Sequence, residues 1–197
     1  MNSLRRDITT AAIFLLLATV VLGLAYPLAT TGVAQLLFPG AADGSRVEVD
    51  GRTVGSELIG QDFSGRPAYF QSRPSATEYS ADVTYFNNLG PNSRELSDFF
   101  AAQLDRYLAR EGRYDRGLTA ADVPVDAVTT SASGVDPQIS LANARFQAHR
   151  VAAVRGLSLD RVLELVDDNT EGRFLVFGEP GVNVLELNLA LDRESRR

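Results

Sequence analysis

The feature that most constrains this chain is an uncharged stretch near its start, residues 8–42, bounded by Asp7 and Asp43. Its first part, residues 8–26, is almost wholly apolar. A helix rises about 1.5 Å per residue, so about 20 such residues cross the hydrocarbon of a bilayer. A water-soluble domain would have to cover this helix on every side, and the remaining chain is too small to do so. The stretch therefore predicts a transmembrane helix, at residues 8–30.

The charges that flank this helix predict its direction. Arg5 and Arg6 precede it, and the first basic residue after it is Arg46. Loops rich in Arg and Lys stay on the cytoplasmic side. We therefore expect a single-pass protein of the cell (inner) membrane, with residues 1–7 in the cytoplasm and residues 43–197 outside.

Residues 31–42 are uncharged but too few for a second crossing, and we expect an interfacial extension of the helix. A cleaved signal peptide is the alternative for the N-terminal stretch. Its apolar region would be about 7–15 residues long and would end at an Ala-x-Ala-like site. The run in this chain is longer and lacks a convincing site, which favours a retained helix.

The composition excludes several classes of function. The formal net charge is −6, and a nucleic-acid binder needs a basic face for phosphate contacts. Every strong cation is Arg, so a P-loop lysine and a Schiff-base lysine are absent. The chain has no Cys and one His, His149, which excludes disulfides, thiolate chemistry and a multi-histidine metal site within one chain.

The pattern beyond residue 43 predicts one mixed α+β domain, because helices and strands follow each other without strict βαβ alternation. Helices are expected to begin after Asn92, Ser140 and Ser158, which are suitable N-caps, and Gly156 is expected to end the second. Alternating apolar residues and turn signals predict strands. The expected strand segments are a hairpin at 43–55 and single strands at 69–70, 123–128, 174–177 and 182–191.

The helix predicted at residues 141–155 has small apolar residues on one side, which favours close packing. Its polar residues are expected to point outward or sideways: Asn143, Gln147, His149 and Arg150.

Three constellations are candidates for chemistry. Ser131 or Ser133 with Asp136 and His149 are the residue types of a hydrolytic triad, but the loop lacks the leading glycine of a G-x-S-x-G elbow. A serine-rich turn that caps its own main chain is the favoured interpretation. Asp167 and Asp168 are interpreted as solvated carboxylates.

The Ser/Gly loop, Ser131–Gly134, is the third candidate. Successive main-chain N–H groups in such a turn can hold a phosphate, and the N-terminus of a following helix would strengthen the site. The nearby carboxylate of Asp136 and the absence of lysine count against an anion. The residues alone therefore indicate a membrane-anchored subunit or binding module rather than an enzyme.

Several longer blocks stand in a fixed order along the chain. They are Tyr26–Thr31, Gly55–Phe63, Tyr69–Ala76, Asn88–Pro91, Val123–Ser140, Gln147–Arg155 and Gly178–Asp192. In these blocks the sequence resembles the KdpC family, the C chain of the potassium-transporting P-type ATPase Kdp of bacteria and archaea. One difference stands at residues 82–87, where the family usually has a Ser-Gly-Gly-Ser segment.

The resemblance implies an accessory, non-catalytic subunit that helps assemble the complex and acts as a catalytic chaperone, raising the ATP affinity of the ATPase subunit. It implies three partners: a potassium-channel-like subunit, the P-type ATPase subunit and a very small helical subunit. It also implies a nucleotide-binding role for Ser131, Ser133 and Gly134, with no tightly bound cofactor and with ATP engaged through the complex. ATP is cytoplasmic, whereas the flanking charges place Ser133 outside.

A stand-alone, membrane-anchored extracellular binding or sensor domain is the alternative. The two hypotheses differ in what the transmembrane helix does. In a subunit, small residues of that helix should pack against helices of a partner. These residues are Ala11, Ala12, Ala18, Gly23 and Ala25.

Overall fold

The computed structural model describes residues 2–82, 88–172 and 178–195. Within it the chain divides into two compact units, Met1–Arg46 and Val47–Arg197.

The first unit is a long apolar helix. It comprises α1 (Asn2–Val20), a π-helical turn (Val21–Ala25) and α2 (Tyr26–Leu37), followed by the short α3 (Pro39–Ala42). The continuous part, Ser3–Leu37, is long and apolar enough to cross a membrane. This confirms the single N-terminal apolar helix predicted from the sequence, and the helix continues through the first residues of the predicted interfacial extension.

A β-hairpin follows, made of β1 (Arg46–Val49) and β2 (Arg52–Ser56). Its two turn residues, Asp50 and Gly51, have φ angles of 51° and 74°. Two consecutive positive φ values match the right-handed twist of the strands. The predicted hairpin is confirmed.

Beyond the hairpin, the described residues include four α-helices and a small sheet. The helices are α4 (Arg94–Glu111), α5 (Leu141–Arg155), α6 (Leu159–Asp168) and α7 (Val184–Glu194). The strands are β3 (Gln138–Ser140), β4 (Thr170–Glu171) and β5 (Gly181–Asn183), antiparallel in the order β3-β5-β4. The domain is α+β, as expected.

Polar side chains cap each of these helices at its N-terminus. Ser140 accepts the N–H of Asn143, and Ser158 accepts the N–H of Arg161, as predicted. Gly156 ends α5 with a φ of 68°, a left-handed conformation that glycine adopts without strain. The cap of α4 is Ser93 rather than Asn92, because its hydroxyl accepts the N–H of Leu96.

The core lies where α5, α6 and α7 meet the sheet. Ala144, Ala148 and Val151 are fully buried on α5, and their small size lets α6 pack close. Val162 and Val166 fill the facing side of α6.

Two predicted strands are wrong, and a third is right only at its first two residues. Residues 69–70 form a turn and the end of a loop, and residues 125–127 form a short 3₁₀ turn. The predicted strand at 182–191 ends at Asn183, whose side chain accepts the N–H of Glu186 and starts α7. The buried residues that follow recur at helical spacing, namely Val184, Leu187, Asn188 and Leu191. The strand predicted at 174–177 and most of the altered 82–87 segment lie outside the described residues.

Candidate functional site

The 60–79 segment, a stretch of turns between the hairpin and α4, binds the Ser/Gly loop at its two ends. The N–H of Gly60 donates to the carbonyl of Val135, with 2.7 Å between nitrogen and oxygen. The hydroxyl of Ser75 donates to the carbonyl of Gly134 at 2.6 Å. The two segments therefore form one unit.

Arg73 is the main side-chain link between these two segments. Its Nη1 lies 2.9 Å from Oδ2 of Asp136, and its Nη2 donates to the carbonyl of Thr130 at 3.2 Å and to the hydroxyl of Thr129 at 3.3 Å. A planar guanidinium with several fixed donors suits such a three-way contact. Arg73 thus holds residues on both sides of the Ser/Gly loop.

Two glycines permit this close approach. A Cβ added at Gly60 would lie 2.4 Å from the carbonyl oxygen of Asp136. Gly134 has a φ of 71°, and a Cβ there would lie 2.7 Å from Oγ1 of Thr77. Any larger residue at either position would push the segments apart.

The main-chain N–H groups of the loop are partly used within the loop itself. The N–H of Gly134 donates to the carbonyl of Ser131 at 3.3 Å, and the N–H of Val135 donates to the hydroxyl of Ser133 at 3.2 Å. The next element is β3 rather than a helix, so the predicted helix N-terminus does not follow directly. Ser131 and Gly134 are buried, whereas Ser133 is exposed. The predicted nucleotide-binding role of these three residues remains a prediction.

Three polar residues of α5 face inward, contrary to expectation. Asn143, Gln147 and Arg150 are each only 1% exposed, and His149 is half-buried. They are buried because the main chain of the 60–79 segment has no sheet partner and bonds to side chains instead. The signal that could have revealed them is their spacing, since residues 143, 147 and 150 share one helix face.

Two amide side chains pair with the segment as a neighbouring strand would. Gln147 accepts the N–H of Gln71 at 2.8 Å and donates to its carbonyl at 3.1 Å. Asn188 on α7 accepts the N–H of Phe70 at 2.8 Å and donates to its carbonyl at 3.0 Å. Four main-chain groups that would be costly to bury unpaired are satisfied in this way.

Arg150 completes this network. Its Nε lies 3.0 Å from Oε2 of Glu111 on α4, and its Nη1 donates to the carbonyls of Tyr69, at 2.9 Å, and Pro67. Burial lowers the pKa of Arg150, and the charge of Glu111 acts in the opposite direction. Burial also raises the pKa of Tyr107, which donates to Asn143 at 3.1 Å.

A polar cleft of about 440 Å³ lies between the 60–79 segment and α4. Tyr79 lies at its wall, donates to the carbonyl of Arg73 at 2.6 Å, and has its pKa raised by burial to about 12. The lining includes both signs of charge, and Ser131, Ser133 and Gly134 are not part of it. The charged residues of the lining are Asp62, Glu78, Arg106 and Arg110.

The triad residues do not form a catalytic arrangement among the described contacts. The carboxylate of Asp136 binds Arg73 and accepts the N–H of Gln138 at 3.0 Å, so it does not orient His149. Asp167 and Asp168 are exposed, as solvated carboxylates should be. Among the described residues, no group of three or more His, Asp and Glu side chains is placed to hold a metal ion.

The family model for the K⁺-transporting ATPase, c chain (KdpC) matches residues 8–193. The chain belongs to this family. A KdpC subunit of the potassium-transporting ATPase from Myxococcus xanthus is 54% identical over 178 residues, covering 88% of this chain and 82% of that protein. The KdpC subunit from Bradyrhizobium diazoefficiens is 45% identical over 207 residues, and the alignment covers 98% of this chain and 99% of that protein. The KdpC subunit from Mycobacterium bovis is 46% identical over 194 residues, and the alignment covers 96% of this chain and 100% of that protein.

KdpC membership confirms the resemblance deduced from the sequence blocks. The matched range contains most of the apolar helix, the 60–79 segment and the Ser/Gly loop. The features described above therefore belong to the part of the chain that the family shares.

Proposed function

We propose that this chain is the accessory, non-catalytic subunit of an ATP-driven, high-affinity potassium uptake complex of the cell membrane. The observation that carries the proposal is the family match over residues 8–193, since the relatives are named as subunits of a potassium-transporting ATPase. The partners are a potassium-channel-like subunit, a P-type ATPase subunit and a small helical subunit.

The helix anchors the chain with its N-terminus in the cytoplasm and residues 43–197 outside. Arg5 and Arg6 before the helix, and no basic residue after it until Arg46, support this orientation. The packing of Ala11, Ala12, Ala18, Gly23 and Ala25 against partner helices belongs to the same proposal.

The subunit assists assembly and raises the affinity of the ATPase subunit for ATP. In this orientation Ser131, Ser133 and Gly134 do not meet cytoplasmic ATP directly. The chain acts instead by shifting the partner between two conformations. The shift is toward the conformation that the outer domain binds more tightly. The fixed attachment of the Ser/Gly loop to the 60–79 segment supports this, because a rigid surface discriminates between two conformations of a partner.

Two measurements test the proposal. First, the tagged chain is co-expressed with the other subunits and purified in mild detergent. Second, ATP hydrolysis is measured against ATP concentration for this complex and for one prepared without the chain through a tag on the ATPase subunit. We expect the ATPase subunit to co-purify and half-maximal hydrolysis to need less ATP when the chain is present. Failure to capture the ATPase subunit, or identical ATP curves, would contradict the proposal.

The polar cleft favours one alternative, a stand-alone extracellular binding domain. Its walls carry hydroxyl groups and both signs of charge, which suits a small polar ligand. The same purification separates the two candidates, because a stand-alone domain would be recovered without an ATPase subunit.

A further inference from the structure

The apolar helix is interrupted by the π-helical turn at Val21–Ala25. The N–H of Tyr26 donates to the carbonyl of Val21, five residues back instead of four. Pro27 follows directly and has no N–H to donate. The carbonyl of Leu22 would use the N–H of residue 26 in an α-helix and that of residue 27 in a π-helix. The N–H of Tyr26 bonds to Val21 instead, and Pro27 has no N–H.

The carbonyl of Gly23 loses its α-helical donor for the same reason, since that donor would be Pro27. Hydroxyl side chains of the same helix do not replace these donors. Thr19 donates to the carbonyl of Leu15 at 2.8 Å, and Thr30 donates to the carbonyls of Tyr26 and Pro27 at 3.0 and 2.9 Å. The chain itself therefore leaves the carbonyl of Leu22 without an α-type or π-type donor at this turn, and that of Gly23 without its α-helical donor.

The turn lies inside the predicted membrane span, residues 8–30. Lipid chains carry no hydrogen-bond donor, and an unpaired carbonyl in hydrocarbon is costly. Broken helices persist in membranes where a neighbouring helix or its side chains supply the missing bonds. The surface at Gly23 is open, because an added Cβ would meet only Cγ2 of Thr19, at 3.8 Å. Such a small residue lets another helix approach the main chain closely.

We infer that the π-helical turn is the docking point for a transmembrane helix of a partner subunit that carries a Ser, Thr, Asn or Gln side chain at this depth. That side chain donates a hydrogen bond to the carbonyl of Leu22 or Gly23. A second copy of this chain is less suited, because the hydroxyl groups of its Thr19 and Thr30 are already bonded within its own helix. The inference rests on the proposed function, which supplies the partner.

The test uses the full-length tagged chain co-expressed with the other subunits and purified in mild detergent. Pro27→Ala restores the missing N–H, and Gly23→Leu blocks close approach. Pro39→Ala, at the start of α3, and Gly32→Leu, where a Cβ meets nothing within 4 Å, are matched controls in the same unit. We expect the first two variants to bind the partner about 3- to 20-fold more weakly, as for loss of one interhelical hydrogen bond, and the controls to bind as the wild type does. Resistance to alkaline extraction from membranes checks that every variant is inserted.

The outcomes separate this inference from the proposed function. Wild-type capture with Pro27→Ala and Gly23→Leu unaffected would overturn the inference alone, as would an equal loss in all four variants. Failure of the wild type to capture any subunit would overturn the proposed function and the inference with it. Recovery of cross-linked homodimers through this turn would identify a second copy as the occupant and also overturn it. The donor on the partner is identified by substituting, one at a time, the Ser, Thr, Asn and Gln residues of the partner's transmembrane helices. The substitution that removes the donor weakens binding of the wild-type chain but does not weaken binding of Pro27→Ala any further.

Discussion

The guanidinium of Arg150 on α5 lies 3.0 Å from the carboxylate of Glu111 on α4, and both side chains are almost wholly buried. The pair does more than join two helices, because Arg150 also donates to the main chain of the 60–79 segment. That segment holds the Ser/Gly loop through Arg73 and Ser75. The buried charge therefore belongs to the framework that fixes the Ser/Gly loop.

Arg150→Met should destabilise the domain by about 3–5 kcal/mol. It removes one of the two guanidinium partners of the buried carboxylate of Glu111, which keeps only Arg110, and it leaves the carbonyls of Pro67 and Tyr69 without their donor. The control is Arg145→Met, whose contact with Asp167 is long at 3.5 Å and exposed, and which should cost less than about 0.5 kcal/mol. Chemical unfolding of the full chain in detergent, followed by circular dichroism, measures both. Equal stabilities for the two variants would contradict the role assigned to Arg150.

Gly60→Ala should destabilise the domain by about 1–3 kcal/mol, since the new methyl group would meet the carbonyl of Asp136 and force the segments apart. Gly90→Ala is the matched control, because a Cβ there meets nothing within 4 Å. The same unfolding measurement applies. A Gly60→Ala variant as stable as the wild type would show that the close approach of Gly60 to Asp136 is not required.

Arg73→Gln should raise the ATP concentration needed for half-maximal hydrolysis by the complex, because it frees the residues that flank the Ser/Gly loop. Removal of the partly buried pair with Asp136 should also lower stability by about 1–3 kcal/mol. Arg161→Gln, which breaks contacts with Glu164 and Glu194 away from the loop, is the control for a general loss of stability. If both variants shift the ATP curve equally, the loop has no specific part in the effect.

The raised pKa of Tyr79 predicts that the domain loses stability at high pH. Burial raises its pKa from 10.0 to about 12 in the folded chain, whereas the unfolded chain keeps the ordinary value. The unfolded state therefore releases the proton first, and the contribution of Tyr79 is present below pH 10 and is lost as the pH rises from 10 to about 12. In Tyr79→Phe the free energy of unfolding should fall less over this range than in the wild type. Tyr114→Phe, at a partly exposed tyrosine, should follow the wild type.

The sequence predicted those elements whose signals are local. The apolar helix, the Asp50–Gly51 hairpin and the caps Ser140 and Ser158 each depend on a few neighbouring residues. The alternation of Leu185, Leu187 and Leu189 predicts a strand where the structure has α7. The side chain of Asn183 caps the helix and so ends the strand at this residue. The short strand before it depends on the pairing of Val182 with Ile139, which is far away in the chain.

The site was less predictable because its contacts are non-local. Ser131, Ser133 and Gly134 were identified as a loop, but the 60–79 segment that binds them is irregular and carries no periodic pattern. Gln147 and Arg150 were assigned to the outside because polar residues on a helix usually face water. Their burial follows from main-chain groups about 76 residues away that need partners, which local patterns do not reveal.

The most direct test of the account is the side of the membrane on which Ser133 lies. The chain has no cysteine, so Ser133→Cys introduces a single thiol at an exposed position. We predict that a membrane-impermeant maleimide labels it in intact cells, or in spheroplasts where an outer membrane blocks access. Labelling only after the membrane is opened, from the cytoplasmic side, would contradict the orientation and the indirect action on ATP affinity that depends on it.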